Sequence, residues 1–265
     1  MFDAAVLNPL LTRYASWLAM PTELTADTSD EDPEQVVLMP MVLRIERAEP
    51  PRRTALLEAA ASAALAVCLD ERAKPGGEWH EPVHHWISGR IRKVSRRARG
   101  AHWAAVQELP GRTVEVDGAE VRAFLPSRVA DMPKELTRLQ ISGSELDADE
   151  PGPPAVGEPV LWLNPDVAMS AGKSAAQVGH ATMFLAALLH GEHRDDEVAR
   201  WSAAGLPCSV RVADGATWRR LLPGEDAETA WRRHGVAAVR DAGFTEIDPG
   251  TVTVLAQWPR PSATA

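Results

Sequence analysis

A chain of 265 residues with 45% apolar side chains has length for two α/β units of ordinary size and can bury a core in each. Its net charge of −9 at pH 7 excludes indiscriminate binding to nucleic acid, because phosphate contact needs local positive charge and an acidic bulk repels the polymer. Two cysteines, Cys68 and Cys208, set no disulfide framework and fit a reducing cytoplasm, while no run reads as a signal peptide or reaches membrane-spanning length.

Residues 4–20 read as a short amphipathic arm, followed by a flexible acidic linker over 22–35 that carries Asp27, Asp30, Glu31, Asp32 and Glu34. Val42-Leu43-Arg44-Ile45 has strand character, and the alanine-rich stretch 54–70 predicts a buried helix. His80, His84 and His85 lack accompanying cysteines or a His-x-x-x-His carboxylate pattern, so no metal site is expected there. Arg90, Arg92, Lys93, Arg96, Arg97 and Arg99 form a basic block on a predicted helix or loop, either a solvated face or a platform for a polyanion. The Asp-, Pro- and Gly-rich stretch around 148–158 predicts a linker. Beyond it, Val160-Leu161-Trp162-Leu163 is a short strand, Asn164-Pro165-Asp166 punctuates it, and 175–189 has the composition of a long buried helix. Val236-Ala237-Ala238-Val239-Arg240 reads as a buried strand ending at Asp241, and Thr251-Val252-Thr253-Val254-Leu255-Ala256 alternates like another.

The chemistry gathers at the start of the downstream helix. Ser170 can cap it, Gly172 permits close approach of a ligand, and the first amides of a helix welcome an anion or developing oxyanion. At 3.6 residues per turn, Lys173, Gln177, His180 and Ala181 share one stripe, which offers a cation, an amide and an imidazole. Strand ends in α/β domains collect ligand sites, so Asp241, Thr245 and Thr251 are expected to meet Lys173 above the sheet. A lysine facing an aspartate also makes an ordinary structural ion pair, and His180 between Gly179 and Ala181 an ordinary core histidine.

The run Gly172-Lys173-Ser174-Ala175-Ala176-Gln177-Val178-Gly179-His180-Ala181, answered by Asp241-Ala242-Gly243-Phe244-Thr245, resembles the type-2 peptidyl-tRNA hydrolases, over about residues 158–260. That resemblance implies hydrolysis of the ester joining peptide to the terminal ribose, with peptidyl-tRNA as partner and no metal or organic cofactor. It puts Lys173 and Asp241 ahead of His180 as catalytic groups, with Thr245 beside them. Ser170, Gly172, Gln177 and Thr251 would contact the substrate, and Arg219 and Arg220 the acceptor stem. The chain departs from the family at Phe244, where relatives commonly carry a basic residue. A non-catalytic RNA- or protein-binding adaptor, and a hydrolase of another small ester or amide, remain as alternatives.

The upstream half carries a candidate internal repeat. Residues 113–126 parallel 209–223 with one gap, Val42-Leu43-Arg44-Ile45 matches Val160-Leu161-Trp162-Leu163, 54–70 matches 174–190, and 136–146 occupies the place of 236–247. In that register Arg53 stands at Lys173, Ala60 at His180, and Ser142-Gly143-Ser144 near Asp241-Ala242-Gly243, so the first copy has lost the chemistry. The expected fold is α/β: two tandem α/β/α domains, each with a small mixed sheet of about four strands flanked by helices. The expected boundaries are an arm and linker at 1–35, a degenerate hydrolase-like domain at 36–147, a linker at 148–158, a hydrolase-like domain at 159–260 and a tail at 261–265. Since the resembled family commonly forms homodimers, the pair is expected to fold as a pseudo-dimer within one chain, with a higher oligomer left open.

Overall fold

A computed structural model describes residues 4–224 and 226–259. The upstream half runs α1 (Asn8–Ala19), α2 (Thr22–Thr25), β1 (Val37–Arg44), α3 (Arg53–Cys68), α4 (His80–Ser88), β2 (Lys93–Ala98), α5 (Gly100–Val106), β3 (Gly111–Val116), β4 (Ala119–Phe124), β5 (Ser127–Arg128) and α6 (Lys134–Thr137). The downstream half runs β6 (Val160–Leu163), α7 (Ala171–Gly191), α8 (Asp195–Ala203), β7 (Ser209–Val212), α9 (Gly215–Leu221), α10 (Ala227–His234), β8 (Val236–Arg240) and β9 (Val252–Gln257). Helices flank two mixed sheets. The first is ordered β2-β1-β4-β3, with β5 on the start of β1, and the second β7-β6-β9-β8. In each, the first strand pairs parallel with the strand after its crossover helix and antiparallel with the last long strand.

Alternation along the strands fixes the layers. Met39, Met41 and Leu43 of β1, and Leu161 and Leu163 of β6, face a shared core built around α3 and α7. The opposite faces, marked by Val42 and Phe124 in one sheet and by Ala238 and Leu255 in the other, pack under Trp103 of α5 and Trp218 of α9. Neither central helix is amphipathic, because each is covered on nearly every side. Between Ala171 and Leu189, only Lys173 and His180 escape full burial. The two helices lie against each other through small residues, so buried hydroxyls reach backbone across the seam. Thr182 donates to the Ala61 carbonyl at 2.7 Å, and Ser62 to the Leu206 carbonyl at 2.8 Å. Each helix also touches the edge strand of the other sheet, α3 meeting β7 and α7 meeting β2.

The repeat register read from residue similarity does not hold over residues 113–146. Residues 113–126 form the β3–β4 hairpin, whereas 209–223 are a strand followed by α9. Both contain Asp-Gly after a β-branched run, but its chemistry differs. Asp117 and Gly118, with φ of 47° and 78°, make a two-residue hairpin turn, while Asp214 caps α9 by accepting from the amides of Ala216 and Thr217. Residues 136–146 contain no strand to stand for β8. The place of β8 in its sheet is taken upstream by β3, and the residue after it is Asp117 rather than Ser142.

Two further segments differ from expectation. The basic block is strand β2 rather than helix or loop. The acidic stretch 22–35 is tied down by it: Glu31 binds the Arg92 guanidinium through both oxygens, and Asp30 takes Arg90 at 2.9 Å. The arm ends in α1, whose Tyr14 hydroxyl accepts the Ala238 amide at 2.7 Å and so covers the exposed edge of the second sheet. No helix among the described residues is long and apolar enough to cross a membrane.

Candidate active site

Crossover from β6 to α7 brings the helix start to the ends of β6 and β8. Ser170 is the N-cap: its hydroxyl accepts the Lys173 amide at 3.1 Å and donates to Glu246 at 2.9 Å. Glu246 also takes the Ser170 amide at 3.0 Å. The Gly172 amide is bound at 3.1 Å by the hydroxyl of Ser144 from the upstream half, and a Cβ on Gly172 would sit 2.8 Å from that oxygen. The helix-start amides expected to face an oxyanion are therefore occupied at Gly172 and Lys173. Ser170 and Gly172 serve the helix and the seam rather than an open pocket. Ser170 and Glu246, with Ser144, Arg96 and residues 139–142 of the upstream half, line a cleft of ≈ 470 Å³ between the two halves.

The lysine itself points to the aspartate. Lys173 Nζ lies 2.6 Å from Asp241 Oδ2 and 3.4 Å from Thr245 Oγ1. The side chains of Lys173 and Asp241 are 9% and 7% exposed, so the pair is nearly buried, with the exposed Thr245 beside it. Gln177 Nε2 reaches the same Asp241 oxygen at 2.8 Å, and the Gly243 amide reaches Oδ1 at 2.8 Å. Gly243 has φ of 86°, and a Cβ there would lie 2.6 Å from Pro249 Cα, so only glycine closes this turn. The Gly250 amide donates to the Asp241 carbonyl and the Asp241 amide to the Thr251 carbonyl, which fixes the backbone that aims the carboxylate. Thr251 enters through its carbonyl, with no side-chain bond to the cluster.

Thr253 is the residue that strand alternation missed. Alternation puts it on the face opposite Val254, yet its hydroxyl donates to Gln177 Oε1 at 2.6 Å on the α7 side. The cause is a β-bulge: Val239 pairs with Val254 and Arg240 with Val252, leaving Thr253 unpaired and turned toward the helix. Since an ionised carboxylate only accepts, Gln177 must present its NH₂ to Asp241, and Thr253 holds the amide in that sense. Thr253→Val is expected to lower kcat for the ester hydrolysis that the resemblance implies by about tenfold with little change in KM, as loss of one buried orienting hydrogen bond dictates. Steady-state kinetics of the variant decide it, and an unchanged kcat removes Thr253 from the site.

His180 does not join the cluster. Its Nδ1 faces Lys93 Nζ of β2 at 2.9 Å across the seam, and Lys93 also reaches the Met183 sulfur at 3.2 Å and lies 5.0 Å from the Trp86 ring centroid. Burial, with Lys93 and Lys173 nearby, holds the imidazole well below its ordinary pKa, and burial lowers the Lys93 ammonium to about 7. Both groups bind protons less readily folded than unfolded, so folding releases protons and stability rises with pH. For Lys93 the cost is full below about pH 7 and is relieved as pH climbs toward the ordinary 10.5. Lys93→Met is expected to raise stability at pH 6 by on the order of 2 kcal/mol and to flatten the rise in Tm between pH 7 and 9. Parallel Tm curves for variant and parent would contradict it.

Arg219 and Arg220 lie exposed on α9, whose Trp218 and Leu221 pack on the outer face of the second sheet, away from α7. The basic block is largely engaged within the protein. Besides Arg90, Arg92 and Lys93, Arg96 binds the Thr137 and Leu139 carbonyls, and Arg97 binds the Ser142 carbonyl and the Gln140 amide oxygen.

Comparison with known proteins bears on what this geometry serves. The family model for peptidyl-tRNA hydrolase PTH2 matches residues 158–265. The chain is 35% identical over 104 residues to the peptidyl-tRNA hydrolase of Staphylothermus marinus, covering 39% of this chain and 82% of that protein. This chain belongs to the PTH2 family. Its similarity to the Halobacterium salinarum peptidyl-tRNA hydrolase is 36% identity over 105 residues, 39% of this chain and 87% of the relative. Against the human mitochondrial peptidyl-tRNA hydrolase 2 it is 31% identical over 133 residues, 49% of this chain and 71% of the relative. No solved structure matches the chain. The matched family segment contains Lys173, Gln177, Asp241, Thr245 and Thr253, whereas Ser144 and Lys93 lie upstream of it.

Proposed function

We propose that this protein is a peptidyl-tRNA hydrolase, cleaving the ester between a peptide and the terminal ribose of tRNA. The observation that carries the reading is the Lys173–Asp241–Gln177–Thr253 network at the start of α7 in a chain of the PTH2 family. Asp241 accepts three bonds, two on Oδ2 and one on Oδ1, which leaves acceptor capacity on Oδ1 for a water proton. Lys173 has three donors and spends two on Asp241 and Thr245, leaving one for the carbonyl oxygen as it gains charge. Water oxygen attacks the carbonyl carbon, the bond to the ribose oxygen breaks, and a proton passes to that oxygen. Gln177 and Thr253 hold Asp241, and Thr245 stands exposed at the rim, where a ribose hydroxyl can meet it. His180, kept uncharged and bound to Lys93, is left out of the proton transfers. Ser170 and Thr251 support this site through helix cap and backbone, and Arg219 and Arg220 remain exposed cations for the acceptor stem.

The upstream half is read as a degenerate copy, spanning 36–147, joined by residues 148–158 to the hydrolase domain at 159–260. Three features support this: both sheets share strand order and direction, each central helix touches the other sheet's edge strand, and Asp117 follows β3 as Asp241 follows β8. Asp117 there pairs with Arg52 at 2.6 Å in the open. Arg53, at the position of Lys173, instead binds the Met169 carbonyl and the Ser174 hydroxyl of the downstream half. On this reading the chain is its own pseudo-dimer with one working site. The free, buried Cys68 and Cys208 suit a cytoplasmic setting.

The test is peptide release from peptidyl-tRNA by the purified chain, beside the same peptide esterified to a short nucleoside. Release from the tRNA ester that falls steeply with salt supports the reading. Equal rates on both substrates, insensitive to salt, point to a hydrolase of small esters, and binding of tRNA without release to an adaptor.

A further inference from the structure

Phe244 sits in the loop that carries Asp241, directly before Thr245, and is 44% exposed, the only exposed aromatic side chain among the large apolar residues on the described surface. Its ring is backed by a side chain from the other half: the Arg92 guanidinium lies 4.8 Å from the ring centroid. Arg92 is in turn held by both oxygens of Glu31, at 2.7 and 2.5 Å. The guanidinium charge is thus neutralised in place, which suits it to brace the ring rather than to bind phosphate. The loop is fixed on both sides, by Gly243 against Pro249 and by Glu246 clamping Ser170. A planar apolar surface, braced by Arg92, is left exposed one residue from Thr245.

The hydrolase reading, on which this inference rests, says what must lie next to it. The ester carbonyl meets Lys173, and Lys173 Nζ is 3.4 Å from Thr245 Oγ1, one residue from Phe244. The ester is carried by the last ribose, so the unpaired base of that nucleotide lies within one nucleoside's breadth of the carbonyl. Unpaired bases are bound chiefly by stacking on aromatic rings and guanidinium planes, with little dependence on base identity. We propose that Phe244, braced by Arg92, is the stacking platform for the terminal unpaired base of the substrate, a contact that positions the ribose ester over Lys173. A basic residue at this position would contact phosphate; the aromatic ring exchanges a salt-sensitive contact for a salt-insensitive one.

The decisive experiment is a cycle with two changes: Phe244→Ala in the full chain, and removal of the base from the terminal nucleotide of the tRNA. Affinity is read by fluorescence anisotropy with an aminoacyl-tRNA bearing an amide in place of the ester, and turnover is read separately with peptidyl-tRNA. Each single change is expected to weaken binding about tenfold, and the two together no further, because both remove the same stack. Phe244→Trp is expected to retain full affinity, and Phe244→Arg to restore binding only at low salt. Independent, multiplying losses would overturn the platform, as would no loss in Phe244→Ala. The parent chain binding the amide analogue but releasing no peptide from peptidyl-tRNA would instead defeat the hydrolase reading, and the cycle would still decide the stack.

Discussion

Replacing Lys173 by alanine is expected to lower kcat for peptide release by about 10²- to 10⁴-fold, and Asp241→Asn by a similar factor, since in the proposed mechanism each removes a group acting on charge that develops in the transition state. The argument is one of donor and acceptor capacity. Asp241 keeps open acceptor capacity beside three satisfied contacts, and Lys173, bound to it at 2.6 Å and to Thr245 at 3.4 Å, keeps one donor free. Neither spare capacity has a structural use. An ion pair serving the fold alone would be closed off by its neighbours, whereas this one is met by the exposed Thr245. Removing one partner also leaves the other charge short of a partner, a cost of about 3–5 kcal/mol in buried pairs. Asp241→Asn keeps the shape and an oxygen for Lys173 and Gln177 but sets its NH₂ against the Gly243 amide, so its loss of activity is read beside its own loss of stability. Single-turnover release, run beside thermal melting, makes the comparison. Turnover within twofold of the parent, with the fold intact, would make the pair a strut and remove the site.

How much of this was legible in the sequence follows from which contacts are local. Strand, turn and helix start around residues 160–189 are written in an apolar run, an Asn-Pro-Asp break and a Ser cap, all short-range signals, and the structure places β6 and α7 there. The meeting of Lys173 with Asp241 followed from one opening the helix after a strand and the other ending a strand of the same sheet. Thr253 was invisible because a bulge reverses its side, and bulges leave no mark on alternation. Ser144 on Gly172 and Lys93 on His180 were invisible because both cross the seam between halves, where partner choice depends on tertiary packing alone. Strand β2 was misread because Lys93, Arg96 and Arg97 look like a solvated stretch, although their charges are met by an imidazole and by carbonyls of residues 137–142. Residue similarity failed as a guide to the repeat for a related reason: an Asp-Gly pair stops a strand in either of two ways, and only the following residues' tertiary setting selects between turn and cap.

Gly179→Leu is expected to destabilise the whole chain by about 3 kcal/mol or more, the upper range for overpacking, and to do so in both halves equally. A Cβ at this position would lie 2.9 Å from Ala64 Cβ on α3 and 3.3 Å from Lys93 Cε on β2. Neither neighbour can yield cheaply. Ala64 has no side-chain torsion with which to retreat, and Lys93 is held against His180, Met183 and Trp86. Gly179→Ala is expected to destabilise by about 1 kcal/mol, because the added Cβ itself meets Ala64 at 2.9 Å and a gain of about 1 kcal/mol in helix propensity offsets only part of that strain. The equal effect on both halves follows from the core, where Met41 and Val121 upstream belong to the same buried cluster as Leu161 and Val254 downstream. Hydrogen exchange at β4 and β9 amides reads the two halves separately. In the parent, both are expected to open at one common free energy, and the leucine variant lowers it in both. Loss of protection in β9 alone, with β4 untouched, would mean that the halves unfold independently, and the upstream half would then be a neighbour of the site rather than a part of what holds it.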